Sequence, residues 1–133
     1  MNIIGNGVDI VDNTRIKNAI KNKFFVSRIF TVNEIKKSKN LNNKANYFAK
    51  RFAAKEAFVK ALGEGFRNNI NFSDIDVTND KKGKPIINIP INVKKFLKKK
   101  FNLKKFKIFL SLSDEKKYSI AYVIINKQKW KSL

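Results

Sequence analysis

Apolar residues change their spacing several times along this chain, and each change marks a predicted element. Ile3-Ile4 and Val8 to Val11 read as a short β-branched strand, loosened by Gly5 and Gly7. Asp12, Asn13 and Thr14 then offer N-cap oxygens for a helix through Ile16 and Ile20. Phe24-Phe25-Val26 and Ile29-Phe30 are apolar anchors in a basic stretch. Thr31-Val32-Asn33-Glu34 has the spacing of a capping box, which predicts a second helix from Thr31. After a polar connector ending near Lys44, the strongest helical pattern runs from about Ala45 to Leu62, with Gly63 placed to stop it. Its apolar residues occupy more than one face, so this helix is predicted to be central and largely buried.

Beyond Gly65 the period shortens. Phe72, Ile75 and Val77 lead into the turn Asn79 to Pro85, and Ile86 to Ile89 follow it, which predicts a β-hairpin. Val93, Phe96, Leu97 and Phe101 return to helical spacing among lysines. Ile108, Leu110 and Leu112 alternate with Phe109, Ser111 and Ser113, and a second apolar strand from Tyr118 to Ile125 makes another hairpin. The reading is an α+β fold in one compact domain, residues 1–133. It places a small, mostly antiparallel sheet on a long central helix, with 127–133 as a frayed basic tail.

Composition narrows the chemistry. Lys and Arg number 30 against 10 Asp and Glu, a formal charge of +20, which predicts a polyanionic partner. The absence of Cys and His excludes thiol nucleophiles, thiolate zinc sites and imidazole bases. Catalysis would rest on carboxylates, amines, hydroxyls or a hard cation bound through oxygen. No basic leader or run of about 20 apolar residues is visible, so a cytoplasmic protein is expected, with no membrane partner. A small basic nucleic-acid-binding protein is the alternative reading. Against it, Phe24, Phe52, Phe58, Phe96 and Phe101 sit at core-like spacing, not in an exposed stacking row. Lys98-Lys99-Lys100 and Lys104-Lys105 read as a solvated helix end.

Two carboxylates stand out. Glu56 and Lys60 share one face of the long helix at i, i+4; by spacing alone they make an exposed ion pair of a few tenths of a kcal/mol. Yet their neighbours are mostly apolar, and Glu56 is an isolated acid among Lys50, Arg51 and Lys55, as a metal ligand would be. Asp9, after two glycines at the strand's end, reads either as a turn acid or as a second carboxylate for magnesium, which commonly takes one or two.

Gly7-Val8-Asp9-Ile10-Val11 and the run Arg51 to Gly65 closely resemble the two signature segments of the holo-acyl-carrier-protein synthases, the small bacterial 4′-phosphopantetheinyl transferases. The resemblance continues through Phe72 to Ile75, Asp80 to Pro85 and Leu110 to Asp114. It implies transfer of 4′-phosphopantetheine from coenzyme A to a serine of apo acyl carrier protein, releasing 3′,5′-ADP and supporting fatty acid biosynthesis. By similarity, Asp9 and Glu56 match magnesium ligands, and Glu56 and Lys60 the catalytic pair. Lys44, Arg51, Lys60, Gly65, Gly83 and Pro85 match coenzyme-binding positions. Arg15 and Arg28 match arginines facing the acidic carrier protein, and a homotrimer with sites shared between subunits is implied. Asp114 departs from the pattern, because many relatives carry His there.

Overall fold

The computed structural model describes residues 2–63 and 70–129. Strand β1 (Ile3–Asp12) pairs antiparallel with β5 (Tyr118–Lys127), which pairs on its other edge with β4 (Phe106–Asp114). A separate hairpin joins β2 (Asp76–Asn79) to β3 (Pro85–Asn88) through a turn in which Gly83 has φ +88°, a conformation that favours glycine. The expected antiparallel sheet is thus two sheets. Among the described residues five α-helices and one short 3-10 turn (Phe72–Asp74) accompany the strands: α1 (Asn13–Ala19), α2 (Lys23–Ile29), α3 (Val32–Ser38), α4 (Lys44–Ala61) and α5 (Ile91–Lys100).

Capping follows the sequence closely. Asp12 accepts from the Thr14 N–H at the start of α1, and Thr31 and Glu34 exchange both bonds of the predicted capping box at the start of α3. Helix α2 is the element that spacing did not reveal. Asn22 caps it, and Phe25, Val26 and Ile29 turn toward the core. Phe24, expected inside, is 82% exposed, because the short helix has only one packed face and Phe24 lies off it. Phe58 is fully buried and Phe52, Phe96 and Phe101 partly so, as core-like spacing requires.

The central helix is as buried as its pattern implies, and small residues explain how it fits. Ala49, Ala53, Ala57 and Ala61 recur every fourth residue along α4 and are all buried. Opposite them, a Cβ on Gly5 would overlap the Ala61 carbonyl, and one on Gly7 the Ala57 carbonyl. Strand and helix therefore meet backbone to backbone, an approach that no residue with a side chain at positions 5 or 7 permits.

At the other end of the chain, Lys127 is not frayed. It closes β5, donating its N–H to the Asn2 carbonyl, and Gln128 donates to Lys105. Residues 130–133, the rest of the expected tail, lie outside the described residues. Helix α5 ends in lysines as read; Lys98 and Lys99 are exposed, and Lys100 donates to the Leu62 carbonyl.

Candidate active site

Side chains alternate along a strand, so Gly5, Gly7 and Asp9 share the face of β1 that meets α4. The two bare positions bring the helix in, and the third presents a carboxylate to it. Glu56 and Lys60 lie on that side of α4, and a long helical side chain points back toward the N-terminus. Lys60 accordingly reaches Asp9: its Nζ donates to Asp9 Oδ1 and to the Val8 carbonyl, each at 3.1 Å. The i, i+4 neighbour Glu56 is half-buried. Burial raises its carboxyl pKa above the ordinary value, the nearby Asp9 charge raises it further, and Lys60 and Arg15 oppose the rise.

Structure thus brings Asp9, Glu56, Lys60 and Arg15 into one electrostatic neighbourhood. The donor chemistry fits a hard divalent cation. The Asp9 charge raises the cost of ionising Glu56, which a cation between them would relieve. No group of three or more His, Cys, Asp or Glu gathers among the described residues, so any such ion would complete its shell with water and substrate oxygens, as magnesium does.

Beside Glu56 opens an apolar groove of about 410 Å³, walled by Phe25, Arg28, Ile29, Phe52, Ile70 and Phe72. Arg28, expected on a partner-facing surface, stands at this groove. Its aromatic walls were missed in the sequence because each reads there as ordinary core; only their convergence on a carboxylate distinguishes them.

A second constellation lies elsewhere on the same helix. Arg51, 6% exposed, stacks over Tyr47 with its guanidinium carbon 3.8 Å from the ring centre, and donates from Nη2 to Asn79 Oδ1 at 2.8 Å. Asn79 in turn donates to the Gly83 carbonyl, which links Arg51 to the turn that carries Gly83 and Pro85. The Arg51 Nε is buried with no hydrogen-bond partner among the described residues. A groove of about 550 Å³ runs past Arg51, Tyr47, Lys50, Asn46, Asn79 and Asp114. Asp114 accepts from Asn46 at 3.1 Å and lies 3.8 Å from Lys50 Nζ. Lys44 faces an adjoining groove with Asn13, Thr14 and Lys17. Gly65 lies outside the described residues.

At about 100° per residue, Arg51 sits roughly 140° around α4 from Glu56 and roughly opposite Lys60. One chain therefore does not gather every expected coenzyme-binding residue at one place. Asp9, Glu56 and Lys60 form one cluster, whereas Arg51, Gly83 and Pro85 belong to another.

A sequence profile described as the 4′-phosphopantetheinyl transferase superfamily matches residues 5–123. The chain belongs to this superfamily. Within the superfamily it is similar to the holo-[acyl-carrier-protein] synthase of Pelagibacter ubique, with 54% identity over 128 residues, covering 96% of this chain and 100% of that relative. A crystal structure of holo-[acyl-carrier-protein] synthase from Neisseria meningitidis is 37% identical, with a TM-score of 0.85 and coverage of 94% of this chain and 99% of that one. The Bacillus anthracis enzyme, solved in complex with CoA (3′,5′-ADP), is 33% identical, with a TM-score of 0.80 and coverage of 96% and 100%. The α+β fold read from the sequence is the superfamily's, and this phosphopantetheinyl transferase superfamily member is an enzyme of the transferase class.

Proposed function

We propose that the protein transfers 4′-phosphopantetheine from coenzyme A to a serine hydroxyl of apo acyl carrier protein. The observation that carries this reading is the meeting of Asp9, Glu56 and Lys60 where glycine-bared β1 touches α4. In the proposed reaction, the serine oxygen attacks the coenzyme A phosphorus that bears the pantetheine. The P–O bond to 3′,5′-ADP breaks and the serine proton passes to the Glu56 carboxylate, which stands at the meeting of β1 and α4. Lys60 orients the diphosphate and offsets its growing charge. A magnesium ion held by Asp9 and Glu56 would supply Lewis-acid stabilisation to the same oxygens.

Arg51, one hydrogen bond short at Nε, suits an anionic nucleotide phosphate, and Gly83 and Pro85 lie on the turn it is tied to. Lys44 joins them on the proposed nucleotide side. Because these residues stand away from Glu56, a complete site needs a second chain, which supports the trimer with sites shared between subunits. The outer sheet face supports it too: Val8, Ile10, Ile120 and Tyr122 pair across β1 and β5 yet are 53%, 60%, 39% and 41% exposed. No helix among the described residues is long and apolar enough to cross a membrane. A cytoplasmic setting and a role in fatty acid biosynthesis belong to this proposal. The nucleic-acid reading gains no specific support, since the exposed aromatics form no single stacking row: Tyr118 and Tyr122 are interleaved with aliphatic residues on β5, Phe109 lies on β4 and Phe24 on α2.

Intact-mass analysis tests the activity: apo acyl carrier protein, coenzyme A and magnesium incubated with the protein should yield carrier heavier by one phosphopantetheine. An unchanged carrier mass with active partners would overturn the reading. Two variants refine it. Lys60→Ala is expected to lower kcat about 10²-fold with a smaller change in the KM for coenzyme A. Steady-state kinetics with each substrate varied would expose the opposite pattern. Arg28→Glu, beside the groove, should slow association with the acidic carrier about tenfold at low salt and flatten the salt dependence of kcat/KM.

A further inference from the structure

Lys55 and Glu34 are the most deeply buried charges among the described residues, each with a fully inaccessible side chain, and the proposed chemistry uses neither. The Lys55 ammonium has three hydrogens. One goes to Glu34 Oε1 at 2.5 Å, one to the Ile29 carbonyl at 2.8 Å and one to the Phe72 carbonyl at 3.0 Å. Ile29 is the last residue of α2, where a helical carbonyl has no partner of its own, so a cation there meets an open acceptor. Glu34 is itself immobilised: Oε1 also accepts the Thr31 N–H and Oε2 the Val77 N–H, while Thr31 and Asn33 both donate to Asp76.

Ile29 and Phe72 are also walls of the groove beside Glu56. Phe52 and Glu56 enter that groove from α4 itself. The remaining lining comes from α2 and from residues 70–72, and one ammonium from α4 holds a backbone carbonyl of each. The distance between those two walls is thereby limited to what a single nitrogen spans. A buried ion pair is weak evidence for stability, since an apolar replacement of similar volume is often no worse. Directional bonds to two separate walls are something an apolar side chain cannot make.

We propose that Lys55 is a positioning residue whose ammonium sets the width of the groove next to Glu56 and thereby controls recognition of the carrier protein, not of coenzyme A. This rests on the phosphopantetheinyl transfer proposed above, with the carrier's serine segment entering the groove past Arg28. Glu34 orients the ammonium and compensates its charge.

The test is a kinetic split. In Lys55→Met combined with Glu34→Gln, both charges go together and the Gln retains a capping-box side chain. This variant should raise the KM for apo carrier protein about tenfold, with the KM for coenzyme A unchanged and kcat within about threefold. Lys55→Arg is the second variant: it keeps the charge pair with Glu34 but spreads its donors over a planar fork, which parts the two carbonyls. It should show the same split. Circular dichroism and melting curves identify the folded variants. A folded variant with both KM values at wild type, or with only the coenzyme A KM raised, overturns the inference while leaving the transfer reaction intact. Wild-type protein that transfers nothing overturns the reaction itself.

Discussion

Glu56→Gln is expected to leave a folded protein whose kcat falls by about 10³-fold. The substitution keeps the volume and removes the carboxylate that would both hold the cation and accept the serine proton. Losing about 4 kcal/mol of charge stabilisation in the transition state corresponds to that factor. Stability should hold or rise slightly, because the native site disfavours ionised Glu56: burial and the Asp9 charge both act against it. Melting temperature and kcat at saturating magnesium, measured on the same preparation, check both halves. A variant that turns over at near wild-type rates removes Glu56 from the reaction. One that is inactive and unfolded says nothing for a catalytic role and assigns the residue to the fold.

Gly7→Ala should be among the most damaging single-methyl changes at the described residues. Its new Cβ would overlap the Ala57 carbonyl oxygen and lie 2.7 Å from the Ala61 nitrogen, both backbone atoms that cannot rotate away. Strand and helix must separate, and overpacking against fixed backbone costs ~3 kcal/mol or more. For a domain of this size, that lowers the melting temperature by about 10 °C. Activity should fall even where the protein remains folded, since the same displacement carries Asp9 away from Lys60 and Glu56. Gly83→Ala is the contrast. Nothing lies within 4 Å of a Cβ there, and the cost is confined to a positive φ, about 1 kcal/mol. Thermal denaturation of the two variants side by side, with rates normalised to folded protein, decides the matter; equal melting temperatures would mean that the β1–α4 contact is looser than described.

These two residues show how different kinds of information were legible in the chain. Glu56 was recognisable as an acid isolated among cations and apolar neighbours. The electrostatic environment imagined for it was only partly right: Lys55, counted among those cations, is withdrawn into the interior and neutralised by Glu34. Phe24 erred the other way, with core-like spacing on a helix that has only one packed face. Along the chain α2 shows only as apolar anchors, because seven residues give barely two turns of periodicity. The small, mostly antiparallel sheet expected on the central helix is present as two ladders, since hairpin signals are local and do not say which hairpins join edge to edge.

Local rules operate within a few residues, and there the sequence alone sufficed: the Thr31 capping box, the long helix, the alternating strands, the glycine turn, and the carboxylates and lysine worth singling out. Tertiary structure decided what depends on separations of tens of residues. It set Asp9 against Lys60, 51 positions away, because two glycines let backbone meet backbone. It also turned Arg51 to another side of α4 and hung two groove walls on Lys55. Such contacts arise from the close packing of whole elements, and no pattern along the chain records which faces will meet.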